Sequence, residues 1–268
     1  CTSRSRATLR ASMTTPLPLP RLLAGPRPAA LVLADGTVFR GHAAGAAAVV
    51  EGEVVFNTSM TGYQEMLSDP SYHGQILTLT TSHVGQVGVN AVDAESDRVW
   101  ARALIVQDLD FAPSSWRAEA DLAGWLAAQA VAVGWGFDTR TLVRHIRAAG
   151  AVPGILATDG TPPEALLERA RTARGTDGRD LCREVACSTG YDWEAGPWRS
   201  PSHPALDAGG DRPRVAVVDF GVKRSILRRL VEAGLAVRVV PPTTAAGALL
   251  AGGFAGVVLS NGPGDPAA

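Results

Sequence analysis

The residues of this chain best suited to chemistry stand near its end, in Ser260-Asn261-Gly262-Pro263-Gly264-Asp265-Pro266. Glycines allow a backbone to approach a ligand and to adopt positive φ, and a proline between them stiffens the turn. Such a loop can aim N–H groups at an oxyanion as it develops. An ordinary Gly/Pro turn fits the local pattern equally well. Ser71, in Asp69-Pro70-Ser71-Tyr72, is a second candidate. Its hydroxyl can donate to or accept from a polar head group, and beside Pro70 it reads equally as a cap or turn residue. The cysteines are Cys1, Cys182 and Cys187, an odd and sparse set with no CxxC spacing, which points to a reducing compartment. His42, His73, His83, His145 and His203 occur singly, so the spacing suggests no metal cluster.

The elements that position the terminal loop form a β-α-β-α-β series. Residues 214–220 read as a continuous apolar strand of the fully buried type. Residues 223–233 form an amphipathic helix with Ile226, Leu227, Leu230 and Val231 on one stripe, ended by Gly234. Residues 235–240 give a second strand, 243–251 a weak helix and 256–260 a third strand, also expected to be buried. This is the start of a doubly wound parallel sheet, in which ligands bind beyond the carboxyl ends of the strands. The loop after Ser260 lies there. Two helices for three strands in about 55 residues is near the lower limit for a stable domain, so the sequence reads as a fragment or an incompletely known protein.

Ser71 belongs to a different unit. Ala29–Leu33, Ala34-Asp35-Gly36 and Thr37–Phe39 read as a hairpin, because Asp-Gly supplies the positive φ of a tight turn. Residues 52–58 give a strand, Tyr63–Leu67 a helical turn stopped at Asp69-Pro70, 75–81 a half-buried strand by period-two alternation, and 101–107 another strand. Glu119–Ala130 reads as a helix with Leu122, Trp125 and Leu126 on one face. Thr139–Ala149 reads as a helix capped by Asp138 and stopped by Gly150. Its Arg140, Arg144 and Arg147 form a solvated face or, alternatively, a partner contact. Thr161-Pro162-Pro163-Glu164 reads as a capping box for a helix to about Arg174. The expected organisation is a lead-in over 1–28, a mixed α+β domain over 29–195, a linker over 196–213 and the incomplete α/β domain over 214–268.

Composition narrows the class. With 46% hydrophobic residues, 19% charged residues and a formal net charge of −1, the chain reads as a globular protein without an electrostatic footprint for nucleic acid or anionic membrane. No run approaches the roughly 18 apolar residues of a membrane span. Arg4, Arg6, Arg10, Arg21 and Arg27, with no acid before Asp35, resemble a transit peptide. Met13 as a true start, or an upstream extension, is the favoured alternative, with a cytoplasmic location.

The terminal loop resembles that of class I glutamine amidotransferases. Residues 53–65 (EVVFNTSMTGYQE) with Asp69-Pro70-Ser71-Tyr72, Phe137-Asp138-Thr139-Arg140, and Asp219-Phe220-Gly221 with Lys223-Arg224 resemble the small subunit of carbamoyl-phosphate synthetase, over about residues 29–266. The resemblance implies a subunit that hydrolyses glutamine through a cysteine thioester. It further implies delivery of ammonia to a large subunit, which uses ATP, Mg and bicarbonate to make carbamoyl phosphate for arginine and pyrimidine synthesis. No cofactor is expected in this chain, and the expected partner is the large subunit, in a heterodimer or higher heteromer contacted through the N-terminal unit. Ser71, Gly262 and Gly264 are the expected glutamine-binding residues. The family's nucleophile sits on a Gly-x-Cys-x-Gly elbow with His and Glu beyond it, and all three would lie past Ala268. Cys182 and Cys187, in DLCREVAC, have no elbow pattern and are not expected to serve. A docking module without catalysis, and another amidotransferase component, are the alternatives. The 268-residue chain alone is expected to release no ammonia from glutamine; a coupled ammonia assay giving signal above the enzyme-free rate would contradict this.

Overall fold

A computed structural model of the chain describes residues 26–200 and 211–268. Residues 1–25 of the expected lead-in and 201–210 of the expected linker, with Cys1 and His203, lie outside the described residues. The lead-in expected to reach residue 28 ends sooner: Arg27 and Pro28 already pair with Ala43 and His42. At that end the strand has a partner on one side only, so the missing proline N–H costs no ladder bond.

The first unit contains β1 (Arg27–Leu33), β2 (Val38–Gly45), β3 (Val49–Asn57), α1 (Tyr63–Ser68), β4 (Gln75–Leu79), β5 (His83–Val84) and β6 (Ala103–Ile105). It continues through β7 (Asp108–Leu109), α2 (Leu122–Ala128), β8 (Ala132–Trp135), α3 (Thr139–Ala149), β9 (Val152–Ala157) and α4 (Leu167–Arg171). Strands close into a barrel in the order β1-β2-β8-β6-β4-β3-β9. The β1–β2 hairpin turns where Asp-Gly predicts, with Gly36 at φ 89° and Asp35 Oδ1 accepting the Thr37 N–H at 2.8 Å.

Two strands absent from the sequence reading complete the barrel: β8 joins β2 to β6, and β9 joins β1 to β3. β4 also departs from expectation. It runs parallel between β3 and β6, and Ile76, Leu77, Thr78 and Leu79 are all fully buried rather than alternating. Helices cover both its faces. Ile76 packs in a cluster with Leu142 and Ile146 of α3, while Leu77 and Leu79 pack with Leu67 of α1 and Leu122 and Leu126 of α2. A parallel strand buried on both faces carries no alternation that matters, whatever its sequence suggests.

α3 matches its expected bounds. Asp138 Oδ1 accepts the Thr141 N–H at 2.9 Å, Gly150 is the C-cap, and Arg140, Arg144 and Arg147 face solvent. The Thr161 capping box does not form. Pro163–Leu166 is a 3-10 turn with Pro162 at its N-cap position, and Asp159 rather than Glu164 binds the Thr161 N–H. Pro162 is extended and takes the N-cap position itself, so the turn starts one residue later than a Thr161 cap requires.

The second unit is a four-stranded sheet in the order β10-β12-β11-β13. β11 (Arg214–Val218) lies parallel between β12 (Ala236–Val240) and β13 (Gly256–Leu259), with α6 (Arg224–Glu232) and α7 (Ala246–Ala251) as crossovers. The sheet reaches back across the boundary expected at residue 195. α5 (Cys182–Val185) leads to β10 (Tyr191–Trp193), and β10 pairs antiparallel with β12. β13 is less buried than its apolar sequence suggests. Among the described residues it is bonded only to β11, and Val257 and Leu259 are 46% and 70% exposed.

Phe137 is a stringent test of barrel packing. Its ring lies so close to the backbone of β2 and β8 that a Cβ at Gly41 or Gly134 would stand 2.4 or 2.6 Å from it. Phe137→Ala is expected to destabilise the fold by about 3–5 kcal/mol, read as a lower urea midpoint; a loss under about 1 kcal/mol would mean the site collapses without cost.

Candidate functional site

The two sequence candidates meet at the junction of the units. Ser71 sits in the 3-10 turn Pro70–Tyr72, between α1 and β4. Asp69, at its N-cap, accepts the Ser71 N–H at 2.9 Å. The adjoining Tyr72 hydroxyl accepts from Asn57 Nδ2 at 2.8 Å, which ties the turn to the end of β3. Across the junction, Asn261 Nδ2 donates to Ser71 Oγ at 2.8 Å. This joins the turn of the barrel unit to the loop that follows β13.

That loop is anchored at several points. Ser260 Oγ accepts the Phe220 N–H at 2.9 Å and donates to the Asn261 carbonyl at 2.7 Å. Asn261 Oδ1 accepts the Lys223 N–H at 3.3 Å, and Lys223 Nζ stands 3.6 Å from Asp69 Oδ2. Asp265 accepts N–H groups from Gly178 at 3.0 Å and Ala267 at 2.8 Å, and these bonds hold its carboxyl below the usual range.

Both glycines are sterically required. A Cβ on Gly262 would come within 2.3 Å of the Phe220 carbonyl oxygen and 2.8 Å of Cys182 Sγ. One on Gly264, at φ 87°, would come within 2.6 Å of the Arg179 carbonyl oxygen. Pro263 between them is buried, Gly264 is half-buried and Gly262 is exposed. Among the described residues, neither the Gly262 nor the Gly264 N–H donates to a protein acceptor. The loop therefore presents two backbone donors, and Ser71 presents a hydroxyl on the neighbouring segment. That set suits a carboxylate or an oxyanion.

Asp219, buried at the end of β11, organises the adjoining loop. Its Oδ1 accepts N–H groups from Gly221 and Val222, each at 2.8 Å, and its Oδ2 accepts that of Cys187 at 2.8 Å. A Cβ on Gly221 would meet Val185, Pro70 and Pro263 together, so this loop is where both units and the glycine loop converge.

The cysteines lie closer to the site than their sequence position suggests. Cys182 Sγ contacts the Pro263 carbonyl at 3.4 Å. Burial, then the charges of Asp180 and Asp219, push its thiol up. Burial, then the charge of Asp219, push Cys187 up to about 12. Both stay protonated near neutral pH, the opposite of what a thiolate nucleophile needs. Glu184, held low mainly by its bond to His73 at 2.8 Å, closes that side of the junction. No group of three or more His, Cys, Asp or Glu among the described residues could hold a metal ion, and no described helix is long and apolar enough to cross a membrane.

Sequence reasoning named Ser71, Gly262 and Gly264 as candidates but not the contact that brings their segments together. Asn261 stood only inside the motif, and its partner is 190 residues away. Glu95, which bonds Ser225 across 130 residues, lay in a stretch with no periodic signal. Alternating or heptad patterns cannot report such contacts, since each depends on tertiary placement alone.

Residues 216–268 match the family model for class-I glutamine amidotransferase, the class to which the loop after β13 belongs. Residues 31–156 match the model for the carbamoyl-phosphate synthase small chain, CPSase domain. The chain is 49% identical over 238 residues to the carbamoyl phosphate synthase small chain of Syntrophotalea carbinolica, covering 89% of this chain and 63% of that one. It is 47% identical over 243 residues to the small chain of Pseudomonas aeruginosa, covering 90% and 64%. With that of Thermosynechococcus vestitus it shares 45% over 244 residues, covering 91% and 64%. The chain belongs to the carbamoyl phosphate synthase small-chain family, and it spans about 64% of the length of relatives such as these.

The raised thiols give a direct test. Iodoacetamide alkylation of Cys187, followed peptide by peptide in the folded protein, should keep accelerating tenfold per pH unit through pH 10. A plateau below pH 9 would show that neither burial nor the Asp219 charge raises the thiol.

Proposed function

We propose that the chain is the glutamine-binding portion of a carbamoyl phosphate synthase small subunit. In this reading the intact subunit hydrolyses glutamine and passes ammonia to a large subunit, which consumes ATP and bicarbonate. The partner is that large subunit, ATP and Mg act there rather than here, and the location is the cytoplasm. The pathways served would be arginine and pyrimidine synthesis. The working units are residues 29–195 and 214–268, with 196–213 between them and β10 lent to the second sheet.

One observation carries the proposal: the hydroxyl of Ser71 is held against the glycine loop by Asn261 at 2.8 Å, although the two belong to different units. Ser71 would bind the amino-acid head group. The Gly262 and Gly264 N–H groups would line the pocket and stabilise the oxyanion of a tetrahedral adduct, the step that most rewards fixed donors. Cys182 and Cys187, kept protonated by burial first and by nearby carboxylates next, would not attack. The nucleophile would come from a Gly-x-Cys-x-Gly elbow elsewhere in the intact gene product, with an adjacent base to ionise it.

In the intact subunit paired with its large subunit, Ser71→Ala should raise KM for glutamine about tenfold, the equivalent of about 1.4 kcal/mol of lost binding. Synthesis from an ammonium salt in place of glutamine should stay unchanged. An unaltered KM would remove Ser71 from the pocket, and equal loss with both nitrogen sources would mean a folding defect.

A further inference from the structure

The N-terminus of α6 is capped from the other unit. Lys223 occupies the N-cap position but makes no side-chain cap. The first two helical N–H groups go instead to one residue of the barrel unit. Arg224 N–H donates to the Glu95 carbonyl at 3.0 Å, and Ser225 N–H donates to Glu95 Oε2 at 2.7 Å. A carboxylate there satisfies an orphan donor and faces the positive end of the helix dipole.

Glu95 is itself 8% exposed and firmly placed. Its N–H donates to Ser68 Oγ at 2.8 Å, and Ser68, at the end of α1, is fully buried. The segment before it is fixed to the same helix, since Gln64 and the Asn90 backbone exchange two hydrogen bonds at 2.6 and 3.0 Å. Arg224 donates to the Ser96 carbonyl and pairs with Asp97, while Arg228 donates to the Val92 carbonyl at 2.9 Å.

These bonds close a ring across the junction. From Ser68 the path runs to Glu95, then to Arg224 and Ser225, back one residue to Lys223, across to Asn261, and on to Ser71 and Asp69, which adjoins Ser68 in the chain. The ring crosses between units twice, once at Glu95 and once at Asn261.

We infer that Glu95 is a positioning residue for the pocket: by capping α6 from the barrel unit it sets where the Asn261 loop meets Ser71. The inference rests on the glutamine reading of that pocket. Glu95 touches neither Ser71 nor the glycine loop, so its influence passes through α6, Lys223 and Asn261.

The test uses the intact gene product with its large subunit. Glu95→Ala should raise KM for glutamine about fivefold to tenfold, the loss of a helix cap, with kcat within about threefold. Glu95→Gln keeps an oxygen acceptor for the Ser225 N–H and should recover most of the loss. Glu95→Asp keeps the charge but withdraws the acceptor by one methylene, and should raise KM about threefold. Amide hydrogen exchange provides a readout that needs no activity: Glu95→Ala or Glu95→Asp should quicken exchange in residues 220–227 and 69–73 together. If Glu95→Ala does not fold, Glu95→Asp decides. A Glu95→Asp protein with wild-type KM and wild-type exchange in both segments overturns the inference, as does faster exchange confined to residues 93–97. If the wild-type protein hydrolyses no glutamine, the functional reading fails instead, and the paired exchange of 220–227 and 69–73 still decides the role of Glu95.

Discussion

Everything at the junction depends on the meeting of the Asn261 side chain with Ser71, because each unit owns only half of the candidate pocket. The hydroxyl stands on a turn of the barrel unit, and the two free backbone donors stand on a loop of the sheet unit. One neutral hydrogen bond contributes only about 0.5–1.5 kcal/mol net, too little to hold two units in register. The register is set by many weak restraints acting together: the Glu95 cap on α6, the Arg228 bond to the Val92 carbonyl, the Lys223–Asp69 pair and the packing of Gly221 against Pro70. Cooperative placement of this kind gives a site geometry that a single strong contact could not.

Asp219 adds an electrostatic constraint to the geometric one. It is buried yet fully engaged, with three backbone N–H groups converging on its two oxygens. Its charge stays available to neighbours, and the nearest titratable groups feel it as repulsion toward their anionic forms. Cys187 and Tyr191 are both pushed up to about 12, in each case by burial first and by Asp219 next. The region behind the glycine loop therefore keeps its thiols and the Tyr191 phenol neutral. A thiolate has no place on that side, which agrees with the absence of an elbow motif around Cys182 and Cys187.

Legibility followed the range of the interactions. Local signals were read correctly: the Asp-Gly hairpin, Asp138 as the cap of α3, Gly234 after α6, and the order of strands and helices after Arg214. Ser71, Gly262 and Gly264 were named through motif resemblance, and the structure shows that no side chain fits at either glycine. Closure of the barrel was not legible. β8 has four residues with Gly134 among them, β9 carries Pro153 and Gly154 inside its run, and β9 takes its place by bridging β1 and β3. The half-buried pattern assigned to β4 failed because α1, α2 and α3 cover both of its faces, a fact set by topology and not by its own alternation.

The barrel also explains which half of the pocket is the reference frame. Closure leaves β4 no free edge, since it is bonded on both sides to β3 and β6. The Ser71 turn enters β4 directly and is tied to β3 through Tyr72 and Asn57. α1, just before it, is locked by the buried Tyr63, whose hydroxyl accepts the Val87 N–H at 2.8 Å. Ser71 and Asp69 thus form a rigid template. The loop after β13 is held to it through Asn261, and the cap that Glu95 places on α6 lets the template reach into the second unit.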